Sequence, residues 1–311
     1  MKKIIFALIG IMVFLIGCTG GGSDGETVGG RAFIGGTDSI KFDFMEETPP
    51  AEVFDGGQQP FEVTLNVENA GEYDVAKEDI KIKLSGFYPG DFANPTTEKN
   101  PDEDLRGAYV DSDGEARKGT ITYVNFPGFN FEGAATGVDR HIIRADVCYK
   151  YGTKAQVDIC VLEDLTPLGG DQVCDVSGPK TGSVSSAPVQ VENLVEEVAG
   201  TRKVRLSFDV VHRSNGLISE LGSSCDSGLD KKNKVWVEVE TGIGSVTCTG
   251  LTGGSPTTGY TTLYNGKSKI ICTQDLTGVE GNFEKKANVL LTYDYKQHKE
   301  REVLVKHIVS G

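Results

Sequence analysis

Apolar and polar side chains alternate one by one through much of the chain after residue 36. Lys41 and Asp43 separate Ile40, Phe42 and Phe44. Glu62, Thr64 and Asn66 separate Phe61, Val63, Leu65 and Val67, and Lys81 and Lys83 separate Ile80, Ile82 and Leu84. A period of two puts successive side chains on opposite faces, so these segments predict half-buried antiparallel strands with one wet face. Turn formers punctuate them at Asp55-Gly56-Gly57, Asn69-Ala70-Gly71, Pro89-Gly90 and Asn265-Gly266. The only helical signal after residue 36 is a short turn over residues 191–198. The pattern predicts an all-β fold.

The alternation also repeats. Val63-Thr64-Leu65-Asn66-Val67 aligns with Leu206-Ser207-Phe208-Asp209-Val210 at an offset of 143, and Tyr149-Lys150-Tyr151 with Tyr293-Asp294-Tyr295 at 144. Ile80, Ile82 and Leu84 align with Val235, Val237 and Val239 at 155, because the second copy has a longer loop that holds Cys225. In the same phase, Ile159 and Val161 match Val303 and Val305. Matching anchors on both sides of a compensated insertion predict two copies of one β-domain, over 37–165 and 183–311, joined by a linker at 166–182. About seven short strands per copy fits an immunoglobulin-like antiparallel sandwich. In each copy the last two strands are expected to form a long hairpin carrying its Tyr-x-Tyr pair as packing residues. The single Trp236 is expected in the core.

The N-terminus adds a location. Lys2 and Lys3 precede an apolar run over residues 4–16, followed by Gly17 and Cys18. This is the layout of a secretory signal, and Leu15-Ile16-Gly17-Cys18 matches a lipobox, in which the cysteine is lipidated and becomes the new N-terminus. Residues 1–17 are read as a signal peptide, with Cys18 as the lipidation site. Residues 18–36 are read as a Gly-rich tether. An uncleaved anchor and plain cleavage without a lipid are the alternatives. The expectation is a protein held by its first residue at the extracellular face of the cell membrane.

The 311 residues carry a net charge of −14, and loss of residues 1–17, with two lysines and no acid, takes it to −16. So acidic a chain is repelled by nucleic acid and by anionic headgroups, and no nucleic-acid partner is expected. Setting Cys18 aside leaves Cys148, Cys160, Cys174, Cys225, Cys248 and Cys272, an even set that in an exported chain reads as disulfides. Residues 142–149 and 156–162 read as two strands joined by a turn around Gly152, which sets Cys148 opposite Cys160 and predicts a cross-strand bridge. Cys248 and Cys272 each end a strand-like run and are expected to pair, leaving Cys174 for Cys225.

The run from Phe61 to Gly71 resembles a strand of the adhesion-type immunoglobulin-like modules of archaeal cell-surface proteins. So do Cys148-Tyr149-Lys150-Tyr151-Gly152-Thr153 leading to Cys160, and Ala187-Pro188-Val189 opening the second copy; the layout is similar to surface proteins of small-genome archaea. The resemblance implies sandwich modules on a cell surface and brings no catalytic residues. The chain departs from it at His212-Arg213-Ser214-Asn215-Gly216, where the Asn-x-Gly turn of the first copy is lost.

Chemistry is sparse. His141, His212, His298 and His307 stand in no metal or triad pattern, and no nucleophile elbow, His-Glu-x-x-His or phosphate loop occurs. Asp111, Asp113 and Glu115 resemble the first half of a calcium loop, but the twelfth position is Thr122 rather than a glutamate. They are a weak calcium candidate beside a solvated acidic loop; otherwise no metal, cofactor or catalytic residue is expected. The sequence thus predicts a non-enzymatic surface protein displaying two modules for a protein or glycan ligand. The alternatives are a lattice or filament subunit, self-associating by strand addition, and an accessory component of an exported complex.

Overall fold

The computed structural model describes residues 32–165, 173–225 and 228–307. The signal segment, Cys18, most of the tether and part of the linker lie outside them. The first half supplies β1 (Ile40–Phe44), β2 (Glu52–Phe54), β3 (Phe61–Asn69), β4 (Ile80–Ser85), β5 (Glu98–Lys99), β6 (Tyr109–Val110), β7 (Ala116–Arg117), β8 (Ile121–Phe129) and β9 (Val138–Val161). The second supplies β10 (Gly178–Pro179), β11 (Gly182–Val184), β12 (Val189–Gly200), β13 (Lys203–His212), β14 (Leu217–Ser219), β15 (Lys234–Glu240), β16 (Val246–Thr249), β17 (Thr258–Thr262), β18 (Lys267–Asp275) and β19 (Phe283–Lys306). The predicted alternation becomes burial: Ile40, Phe42 and Phe44 point inward, Lys41 and Asp43 outward. Helical structure among the described residues is three short 3-10 turns. Residues 191–198 lie within β12, where an irregularity with Asn193 at φ 51° replaces the expected helical turn.

The strands build one large sheet, β17-β15-β19-β9-β4-β5, with β11 on β9, and β14 and β2 on β19. Smaller sheets, β1-β3-β8 and β10-β12-β13-β18-β16, complete the sandwich. The two long strands dominate. β9 and β19 pair antiparallel over all 24 residues of each, from Val138 opposite Lys306 to Val161 opposite Phe283. The two expected hairpins are therefore each one continuous strand, far longer than the usual five or six residues. Gly152 sits within β9 because the Tyr73 ring lies against it: a Cβ there would come 2.4 Å from the ring.

Continuity of β9 overturns the Cys148–Cys160 bridge. Twelve residues along one strand separate two side chains by about 40 Å. Cys148 is bonded instead to Cys225, and Cys160 to Cys174, so the expected Cys174–Cys225 pair is absent too. Cys248 is bonded to Cys272, directly opposite across β16 and β18. Trp236 is also not a core residue. Val235, Val237 and Val239 take the inward phase of β15, and Trp236 meets the Tyr260 ring edge-to-face on the other face, half-buried.

The offsets read from the sequence reappear as register. Ile82 faces Val147 and Leu84 faces Ala145 across β4 and β9; Val237 faces Leu291 and Val239 faces Val289 across β15 and β19. β9 and β19 cross about a pseudo-twofold axis between Lys150 and Asp294, with Tyr149 opposite Tyr295 and Tyr151 opposite Tyr293. Beyond that axis each long strand passes to the other half. The end of β9 lies under β12, where Glu196 accepts the Cys160 N–H, and the end of β19 lies under β1. The two halves thus share one sheet and exchange strands across it.

At the axis the four tyrosines form a fully buried edge-to-face cluster, with neighbouring ring centroids 5.6–6.1 Å apart. Burial pushes every hydroxyl's pKa up, so each stays protonated. Each hydroxyl reaches the facing sheet. Tyr149 meets Ser39 at 2.8 Å, Tyr151 donates to Asn69 Oδ1 at 3.1 Å, and Tyr293 accepts from the Val189 N–H at 3.2 Å. Tyr295 accepts from the Gly216 N–H at 2.8 Å and meets His212 at 3.1 Å. Asn69 and His212 are equivalent at the offset of 143.

Removing one hydroxyl strands a buried partner, so Tyr151→Phe is expected to cost about 1–3 kcal/mol in urea unfolding. An unchanged midpoint would show that the Asn69 bond contributes nothing. Non-reducing peptide mapping is expected to recover Cys148 joined to Cys225. Replacing both by serine should remove roughly 2–5 kcal/mol; a recovered Cys148–Cys160 peptide would refute the connectivity.

Candidate functional site

Among the described residues, strand pairing leaves two neighbouring edges without a partner strand, although Phe44 N–H donates to Asp43 Oδ1 and Phe44 O accepts from Arg301. β1 ends the sheet β1-β3-β8. Ala70 donates to Ser39 O and Met45 donates to Thr64 O, so in the alternating antiparallel pattern the N–H and C=O groups of Ile40, Phe42 and Phe44 point away from β3. On β19, β14 pairs with Asp294–Lys296 and β2 with Leu304–Lys306. Between them residues 297–303 pair, among the described residues, only with β9. The even-numbered groups of that stretch face outward, in phase with Leu304 N–H, which donates to Ala51 O. The two edges line one groove of about 810 Å³, with Ile40, Phe42, Gln297 and Lys299 among its walls.

Four basic side chains line the groove of this acidic chain, each of them in an ion pair. Lys41, Arg144, Lys296 and Lys299 line it, against Asp43 and Glu68. Lys299 bonds Asp43 at 2.9 Å and holds that carboxyl below its ordinary range. Burial pushes Asp146 up, but Arg144 at 3.0 Å and Lys296 at 3.5 Å outweigh it and lower its pKa. Arg301 donates to Met45 O and Phe44 O and lies over the Phe44 ring. Lys299 and Arg301 therefore bridge the gap between the layers. Neither edge was visible in the alternation pattern, because period two reports which face a side chain takes and not which neighbour a strand has.

The same corner in the other half is filled. Residues 178–185 run between β12 and β9: β10 pairs with Val195 and Glu196, and β11 with Ala155–Val157. Ser185 donates to Lys154 O, and the Asp158 N–H donates to Thr181 O. At the offset of 144, Lys154 corresponds to His298, which lines the open groove, and Asp158 to Glu302. Ala155 and Val157, buried under the filling segment, correspond to Lys299 and Arg301.

The residues singled out from the sequence lie elsewhere. Asp111 caps the β6–β7 hairpin: one carboxylate oxygen accepts from the N–H groups of Asp113 and Glu115, and the other takes Arg117 at 2.6 Å. Its oxygens are thus engaged in the turn, and no group of three or more His, Cys, Asp or Glu among the described residues is placed to hold a metal ion. The histidines are dispersed. His141 lies between Phe92 and Phe131, and His298 lines the groove. His307 meets Asp55 at 2.7 Å, and the same Asp55 oxygen accepts the Ala135 N–H, a clasp at a strand end.

No family model matches the chain, and no curated protein matches it. Among solved structures, the secreted serine protease VesC from Vibrio cholerae aligns at 9% identity with a TM-score of 0.20, covering 87% of this chain and 52% of that one. At that score the likeness carries no argument about fold or chemistry.

His212 supplies a pH dependence. The half-buried His212 ring meets the Tyr295 hydroxyl through Nε2 at 3.1 Å, beside the Gly216 N–H that the same hydroxyl accepts. Burial lowers the imidazole pKa accordingly. The unfolded chain then binds the proton first, so stability is full above the ordinary histidine value of about 6.5 and falls as pH drops through the lowered one. His212→Asn, which restores the Asn69 side chain at the equivalent position, is expected to flatten urea-unfolding stability between about pH 7 and about pH 5. An equal slope in both proteins would refute the assignment.

Proposed function

We propose that this is an exported, non-enzymatic surface protein, tethered through Cys18, that binds an extended segment in the groove between β1 and β19. The observation that carries it is the pair of open strand edges lying side by side. An added strand is held by main-chain bonds on both edges, with pockets for alternate side chains, and protein edges left open are ordinarily covered or blunted. An all-β fold with three disulfides suits an extracellular, oxidising setting. The signal-like N-terminus, the lipobox and the resemblance to archaeal surface modules support the same location.

Lysine-reactive cross-linking on intact cells, with mass spectrometry of the joined peptides, tests this. Links from the bound partner are expected at Lys41, Lys296 and Lys299. Links confined to distant lysines such as Lys231 and Lys285 would dismiss the groove as the binding site.

A further inference from the structure

We infer that the groove between β1 and β19 receives residues 19–31 of a second copy of this chain, so that copies join head to tail by strand donation. This rests on the reading of the groove as a strand acceptor and names its occupant.

The filled corner supplies the template. There the segment leading into the second half, residues 178–185, lies between β12 and β9 before the chain turns into β12. β12 corresponds to β1, since Val191 faces Val210 as Phe42 faces Val67. By the same relation the segment leading into β1 belongs in the open corner. In its own chain that segment is directed elsewhere. Ile34 and Gly35 donate their N–H groups to the Glu72 carboxylate at 2.8 and 2.9 Å, and Ser186 donates to the same group at 2.7 Å. Ala187 N–H meets Gly36 O at 3.3 Å. This clasp holds residues 34–36 beside the lead-in of the second half, and Ala32 and Phe33 lie near Lys154, which faces Leu290, eight residues along β19 from His298 of the groove. The chain before Ala32 thus starts away from its own groove. Thirteen residues precede it after Cys18 and span up to about 43 Å when extended.

Composition fits the slot. Gly182 of the filling segment runs so close to β9 that a Cβ would come 2.8 Å from Gln156 O. Residues 19–31 hold Gly20, Gly21, Gly22, Gly25, Gly29 and Gly30, which make the same close approach without a side-chain clash. Asp24 and Glu26 supply acidic groups to a groove lined by Lys41, Arg144, Lys296 and Lys299 against Asp43 and Glu68. Because donor and acceptor are different surfaces, the contact is heterologous and grows as an open chain instead of closing as a dimer.

The test compares the chain beginning at Thr19 with the chain beginning at Ala32, which keeps every described residue, by sedimentation velocity over a concentration series. The longer chain is expected to form species that lengthen with concentration, and the shorter one to stay monomeric. A synthetic peptide of residues 19–31, but not its scrambled version, should bind the shorter chain and cap assembly of the longer. Lys296→Glu with Lys299→Glu, assayed at a temperature where circular dichroism shows the variant folded, should weaken peptide binding by at least about tenfold. Assembly that survives removal of residues 19–31 overturns the inference, as does a longer chain that stays monomeric throughout. Cross-links on cells from Lys296 and Lys299 to a different protein overturn it as well while leaving the groove as a binding site. Loss of all groove cross-links removes both readings.

Discussion

Everything in this fold is referred to the pairing of β9 with β19. The two 24-residue strands supply the middle of the large sheet, and each crosses from its own half into the other. Four tyrosines at the crossing close the space between the layers, and their hydroxyls are tied to residues at the ends of β1, β3, β12 and β13. Neither half has a complete sandwich without the other's long strand. The disulfides follow the same logic: Cys148–Cys225 joins β9 to a loop of the second half, beside Asp294, which accepts from Gly222, Ser223 and Ser224.

A pseudo-twofold fold gives two equivalent corners, and the chain treats them differently. One is filled by residues 178–185, with Lys180 and Glu196 paired at 2.7 Å beneath it. Burial raises the Glu196 carboxyl's pKa despite that lysine. The other corner is open, and its side chains have changed to suit water. Where the filled corner has Ala155 and Val157, the open one has Lys299 and Arg301, whose long stems and charged heads span the gap to β1. Charged side chains at an open edge are the usual guard against indiscriminate pairing.

Packing phase was legible because it is written in alternation. The residues aligned by the sequence offsets, the tyrosine pairs and the Ile80 and Val235 strands, take matching registers on β9 and β19. The groove was not legible. The sequence shows Lys299 and Arg301 only as charged residues in a strand, and it shows Gly152 only as a turn former. What makes Gly152 a strand residue is the Tyr73 ring lying on it, a contact between residues 79 positions apart.

The sequence by itself determined the all-β class and the inward and outward faces of the strands, since a period of two is a local property. It also determined that the six cysteines are an even set suited to an oxidising compartment. Only the tertiary structure decided that the expected hairpins are single strands, which cysteines meet, and which strand edges stay unpaired. Those outcomes depend on which distant backbone offers its hydrogen bonds, and a chain's own alternation carries no record of its neighbour.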